Sequence, residues 1–157
     1  MIPNFITLKG ALWPVLPPGE HLATIDEIQF RYAINSRRHE LFAGLKRGLD
    51  NLFAAGCRQV FLDGSYVTAK PFPNDYELCW DSVFVDPDIL DPVFLDFDQL
   101  RLAQKEKYLG EYFPTIMTEA FSGKPFVDFF QTDRESGQKK GIIKLLNYIR
   151  KGEQHDY

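Results

Sequence analysis

Apolar residues spaced three or four positions apart run through several segments, and this spacing is typical of one face of a helix. The clearest case lies between Ser36, a candidate cap, and Gly56, where the pattern stops. A shorter helix is predicted from Thr24 to Tyr32, because two acidic residues in its first turn favour a helix start. The same spacing predicts helices over residues 98–109 and 142–149.

Shorter apolar runs predict β-strands between these helices. Residues 59–63 are predicted to form a buried strand. Residues 76–85 are predicted to form a second strand, which ends at the Asp86-Pro87 turn. A third strand is predicted over residues 125–131, where Asp128 interrupts an otherwise apolar run. Helices and strands in this order indicate an α/β fold of the α+β type, with a small mixed sheet packed by helices.

The 157 residues are sufficient for one domain, so residues 1–157 are expected to form a single unit. The first 20 residues are predicted to be an extended arm, because Pro14, Pro17 and Pro18 are incompatible with a helix. Trp13 makes this arm hydrophobic. Two arrangements remain open: the arm packs onto the body of its own chain, or it pairs with a protein partner.

Composition limits the surroundings in which the chain works. The net charge of −4 argues against indiscriminate attraction to nucleic acid. Cys57 and Cys79 lack the spacing of metal ligands and are expected to be buried free thiols. No run of about 20 apolar residues is present, so we expect no membrane span. A cytoplasmic location is the resulting expectation.

Two carboxylates open the second predicted strand. Asp75 and Glu77 point to the same side, with Cα atoms about 7 Å apart, because side chains on a strand alternate. Mg²⁺ prefers oxygen ligands and commonly takes one or two protein carboxylates together with substrate phosphates. Asp128 is the candidate third ligand, because an unpaired carboxylate inside an apolar strand is costly. These residue types predict a magnesium site.

The turn after the first predicted strand is a candidate phosphate site. Gly64 permits a close approach of the backbone to a ligand, and Ser65 adds a hydroxyl donor. Lys70, in the following loop, could contact a triphosphate, although a solvated lysine is the more frequent outcome. The chain contains neither the P-loop pattern nor the dinucleotide-binding glycine pattern.

Gly64-Ser65, nine intervening residues and then Asp75-Tyr76-Glu77-Leu78 resembles the motif of the polymerase-β-like nucleotidyltransferase superfamily. The chain is also similar to a family of small bacterial proteins assigned to that superfamily. The stretches that carry this resemblance are "LPPGEH", "GCRQVFLDGSYVTAKPFPNDYELCWD", "DFDQLRLAQKEKY" and "FVDFFQTDR…KGI", between about residues 15 and 145. Two positions depart from the usual pattern: Glu77, where close relatives have Asp, and Asp63, where an apolar residue is usual.

The resemblance implies a minimal nucleotidyltransferase fold and Mg²⁺-dependent transfer of a nucleoside monophosphate from an NTP to an acceptor hydroxyl. In that interpretation Asp75, Glu77 and Asp128 are the catalytic and metal-binding residues, while Gly64, Ser65 and Lys70 bind the nucleotide. The acceptor is unknown. Some members of the superfamily modify tRNA or proteins as toxins of bacterial toxin–antitoxin pairs.

A second hypothesis is that the chain is a degenerate member of the superfamily. It would keep the fold but bind a nucleotide or a protein partner without catalysing transfer. The longer side chain of Glu77 and the missing substrate domain favour this alternative.

Overall fold

The computed structural model describes residues 1–149 and contains one five-stranded mixed sheet. Its strands are β1 (Gly19–Leu22), β2 (Gln59–Asp63), β3 (Tyr76–Trp80), β4 (Gly110–Pro114) and β5 (Gly141–Leu146). Their order across the sheet is β1-β5-β2-β3-β4. The two outer pairs, β1 with β5 and β3 with β4, are parallel, and β2 runs antiparallel to both of its neighbours.

Four α-helices accompany the sheet: α1 (Ile25–Tyr32), α2 (Ser36–Ala54), α3 (Asp98–Tyr108) and the short α4 (Phe126–Phe129). Thr24 and Glu27 form a reciprocal capping box at the start of α1. The start of α2 is capped by Asn35 rather than by Ser36, because the Asn35 side chain accepts a hydrogen bond from the Arg38 backbone N–H. The predicted α/β class with a mixed sheet and packed helices is confirmed.

Alternating side chains give the sheet two apolar faces. Leu62, Leu78 and Ile143 belong to the larger core, which includes the buried side of α2. Phe61, Cys79, Phe113, Phe130 and Ile142 form a second, smaller core on the opposite face. The sheet is therefore covered on both sides, and it separates two apolar clusters.

Two predicted elements adopt the other type of secondary structure. Residues 142–149 were expected to be helical, but Gly141–Leu146 form the strand β5. Ile142 and Ile143 are both fully buried, one on each face of the sheet, and short apolar runs of this kind do not distinguish helix from strand.

The strand predicted over residues 125–131 is also wrong, because Phe126–Phe129 form the helix α4. The phenylalanines at 126, 129 and 130 follow the three-to-four spacing of a helix face. The rings of Phe126 and Phe130 pack against the ring of Phe113 on β4. Packing against an aromatic neighbour therefore explains this spacing better than a strand does.

The sequence interpretation missed two edge strands, β1 and β4, and made β3 too long. β3 ends at Trp80, five residues before the predicted end. Residues 150–157 of the predicted single domain lie outside the described residues. Within residues 1–149, no helix has the length and apolar character to cross a membrane.

Candidate functional site

The Gly64-Ser65 turn lies directly against the carboxylate of Glu77. Gly64 follows the last residue of β2 and has a φ angle of +78°, in the left-handed region that favours glycine. A Cβ atom at this position would lie 2.8 Å from Glu77 Oε2. The backbone angle favours glycine here, and a side chain at this position would press on the Glu77 carboxylate where it now contacts the turn.

Asp63 is the residue opposite Glu77 in the antiparallel β2–β3 pair, so both carboxyl groups lie on the same face of the sheet. The Asp63 side chain is fully buried, and its Oδ1 atom has no hydrogen-bond partner among the described residues. Burial, followed by the charge of Glu77, raises the pKa of Asp63 well above its usual value. The site therefore contains a carboxyl group that favours its neutral form.

Glu77 is partly exposed to the cleft described below. Burial raises its pKa to about 7, with further contributions from Asp75 and Glu111, and the positive charges of Lys140 and Arg134 oppose this rise. A carboxyl group with such a pKa is only partly ionised at neutral pH. A cation or cationic ligand that enters next to it would favour the ionised form.

Glu111 is a third acidic residue at this edge, and the sequence interpretation did not include it. It is the register neighbour of Glu77 in the parallel β3–β4 pair. Burial, followed by the charge of Glu111, raises the pKa of Asp75. Glu111 itself forms ion pairs with Arg101 (2.9 Å) and Lys105 (3.2 Å), both on α3. Its charge is therefore already partly compensated within the protein.

Asp128 is not brought to this group of carboxylates. It lies on α4 instead of a third strand, and its side chain is exposed. The adjacent Phe129 and Phe130 line the cleft, whereas Asp128 does not. The expectation that Asp128 interrupts a buried strand, which was the reason for naming it as a third metal ligand, is corrected by this placement.

A cleft with a volume of about 400 Å³ opens in front of Glu77. Four of the six predicted site residues line it, namely Gly64, Ser65, Lys70 and Glu77. Arg134 and Lys140 add positive charge from the segment before β5, and Asp133 and Glu135 add negative charge from the same segment. Asp75, immediately before β3, is not among the lining residues.

The loop that carries Lys70 is held by a buried arginine on α2. Only 2% of Arg38 is exposed, and its guanidinium donates hydrogen bonds to the carbonyl oxygens of Tyr66, Thr68 and Lys70. The corresponding distances are 2.7, 2.9 and 2.7 Å. Arg38 therefore fixes the backbone of the loop between the Gly-Ser turn and β3.

The N-terminal arm lies along the cleft. The arm folds back on itself at an isolated antiparallel bridge between Ile6 and Val15, and Leu12, Trp13 and Val15 line the cleft. The Pro14 carbonyl accepts a hydrogen bond from the Ala69 backbone N–H (3.0 Å), and the Leu16 carbonyl accepts one from Gly141 (2.9 Å). The arm is thus attached to the body on both sides of the cleft.

Whether these residues suit Mg²⁺ depends on whether ligands from outside the protein complete the coordination of the ion. Within residues 1–149, no group of three histidine, cysteine or acidic side chains is positioned to hold a metal. Asp75 and Glu77 nevertheless offer the one or two carboxylates that Mg²⁺ takes when phosphates complete its coordination. The residues therefore suit an ion that arrives with a nucleotide better than a resident ion.

The comparison with protein families gives one match, to DUF6932, a family of unknown function, over residues 11–146. The chain belongs to the DUF6932 family. No curated protein and no solved structure matches it. The DUF6932 match includes the arm from residue 11 onward, the Gly-Ser turn, all five strands and every residue that lines the cleft. The whole candidate site therefore lies within the family region.

Proposed function

We propose that this DUF6932 member is a nucleotidyltransferase with the polymerase-β-like fold. It transfers a nucleoside monophosphate from an NTP, bound together with Mg²⁺, to a hydroxyl group of an acceptor. The observation that carries the proposal is a single cleft lined by the Gly64-Ser65 turn, by Glu77 and by three cationic side chains. Its volume of about 400 Å³ falls within the usual range of small-ligand sites, about 300–1,000 Å³.

In this proposal the triphosphate lies between the turn and the cationic residues. The backbone at Gly64 and the Ser65 hydroxyl donate hydrogen bonds to phosphate oxygens. Lys70, Arg134 and Lys140, which line the cleft from two segments of the chain, compensate the phosphate charge. The buried Arg38 holds the Lys70 loop in place, so this side of the cleft needs little rearrangement when the ligand binds.

Asp75 and Glu77 are the carboxylates that would hold Mg²⁺. The ion supplies charge neutralisation and orientation of the phosphates. Both side chains must be ionised for this role, and burial raises the pKa of each. Binding of the nucleotide should therefore release protons near neutral pH and should strengthen as the pH rises through about 7.

The acceptor is proposed only by class, as a tRNA or a protein, in agreement with the toxin–antitoxin members of the superfamily. A protein partner that holds the acceptor is part of this proposal. The proposed location is the cytoplasm, where the buried free thiols Cys57 and Cys79 remain reduced.

One observation favours a second candidate function, in which the cleft binds a nucleotide without catalysing transfer. Glu111 occupies the position of a third carboxylate next to Asp75 and Glu77, but it is paired with Arg101 and Lys105. A carboxylate neutralised in this way contributes less to a metal site. The second candidate predicts NTP binding with no transferred label.

The deciding experiment incubates the protein with each α-labelled NTP, Mg²⁺ and either total tRNA or a protein extract. The proposal predicts that a macromolecule becomes labelled and that Asp75→Asn abolishes the labelling. Asp128→Asn is the matched control, because Asp128 is exposed outside the cleft, and it should retain the activity. Binding without labelling would favour the second candidate. If the wild-type protein neither binds nor transfers any NTP, both are overturned.

A further inference from the structure

An aromatic side chain of the N-terminal arm that lines the cleft has no role in the function proposed above. Trp13 lies on the N-terminal arm and lines the same cleft as Glu77 and the cationic residues, and 40% of it is exposed. Besides its charged residues the cleft also presents apolar side chains, and the indole of Trp13 is the largest aromatic ring system among the lining residues. Its large flat surface suits contact with another aromatic ring.

The backbone around Trp13 is well anchored although its ring is exposed. The next residue, Pro14, accepts the hydrogen bond from Ala69, and Val15 and Leu16 are 2% and 1% exposed. Four residues before Trp13, the Lys9 carbonyl accepts a hydrogen bond from Gln138 Nε2 at 2.8 Å. Trp13 is therefore held between two fixed segments, which lowers the entropy lost when a ligand stacks on it.

These anchors also bring the arm next to the backbone of two cationic residues. Ala69, the partner of Pro14, directly precedes Lys70. Gly141, the partner of Leu16, directly follows Lys140. Both lysines are thus one residue away from a backbone hydrogen bond to the arm, so the flat apolar surface and the positive charges belong to one continuous site.

We infer that Trp13 is the platform on which the nucleobase stacks, and that the cleft prefers purine nucleoside triphosphates. This inference rests on the proposed function. A nucleotide has a flat base at one end and a triphosphate at the other, which matches the indole on the arm and the lysines beside it. Every base has a π-face and can stack, and the larger purine ring covers more of the indole than a pyrimidine does.

The test measures binding of ATP, CTP and inorganic tripolyphosphate by calorimetric titration in the presence of Mg²⁺. Trp13→Leu keeps an apolar side chain but removes the aromatic surface, and Trp13→Phe keeps an aromatic ring. Stacking of a base on an aromatic side chain predicts that Trp13→Leu weakens ATP binding by about tenfold or more. Tripolyphosphate binding should be the same in all three proteins, and Trp13→Phe should recover most of the ATP affinity.

The design separates failure of this inference from failure of the proposed function. If Trp13→Leu binds ATP as tightly as the wild-type protein does, or loses ATP and tripolyphosphate binding equally, the stacking role is overturned while the phosphate site remains. A wild-type preference for CTP over ATP overturns the purine preference. If the wild-type protein binds none of the three ligands, the proposed function fails, and the inference fails with it.

Discussion

The carboxyl group of Glu77 makes the stability of the ligand-free protein depend on pH. Burial and two neighbouring carboxyl groups raise its pKa from 4.5 to about 7. The folded state therefore holds a proton that the unfolded chain releases between these two values. By linkage, the contribution of Glu77 to stability is fully present below pH 4.5 and is lost as the pH rises to about 7.

The size of this effect follows from the pKa difference. Each unit corresponds to about 1.4 kcal/mol, so a rise from 4.5 to about 7 gives a limit of about 3 kcal/mol. Partial exposure of Glu77 to the cleft reduces this value, and we expect about 1–3 kcal/mol. Glu77→Gln cannot ionise, so it should be more stable than the wild-type protein by this amount at pH 8 and by little at pH 5.

The measurement is urea unfolding at pH 5 and pH 8, followed by tryptophan fluorescence. Trp80 is 2% exposed and will report the loss of the core. Glu106→Gln removes an exposed carboxylate of the same type on α3 and should change the free energy of unfolding by less than about 0.5 kcal/mol at either pH. An equal difference between Glu77→Gln and the wild-type protein at both pH values would refute the reasoning.

Two further substitutions test the walls of the cleft. Gly64→Ala should lower the free energy of unfolding by about 1–3 kcal/mol, because alanine is strained at φ +78° and its Cβ meets Glu77. Gly123→Ala is the control for backbone strain alone, because Gly123 has φ +70° and no atom lies near the added Cβ. Equal losses of stability in the two variants would contradict the contact argument. Arg38→Lys should lower the free energy of unfolding by about 2–4 kcal/mol, because a lysine ammonium cannot donate to all three carbonyl oxygens of the Lys70 loop at once. Amide hydrogen exchange of the variant should show this loop opening before the rest of the chain. Unchanged protection of the loop amides would contradict the role assigned to Arg38.

The elements with strong local patterns were predictable from the sequence. The long run of leucines defined α2, and the capping residues defined α1, because both patterns depend on residues close together in the chain. β5 and α4 were assigned the wrong type, because tertiary packing decides the conformation of short apolar runs. The edge strand β1 pairs in parallel with β5, which lies more than a hundred residues later in the sequence. No local sequence pattern predicts a pairing over such a separation.

Only the part of the candidate site that is formed by residues close together in the sequence was predictable. Gly64, Ser65, Lys70 and Glu77 lie within 14 consecutive residues, and the structure brings them to one cleft. Glu111 was missed because its neighbourhood to Glu77 depends on the β3–β4 pairing, which the sequence interpretation did not contain. The two consecutive aromatic residues Tyr112 and Phe113, between Glu111 and Pro114, were the available signal for this strand.

The separation of two apolar clusters by the sheet has a consequence for how relatives of this chain can diverge. The cluster around Phe113 and Phe130 supports the segment that borders the cleft, whereas helix α2 packs on the opposite face. Substitutions that remodel the phenylalanine cluster will change the shape of the binding surface while leaving the helical half nearly undisturbed. The architecture thus allows selection to retune ligand choice in one half and to preserve folding in the other.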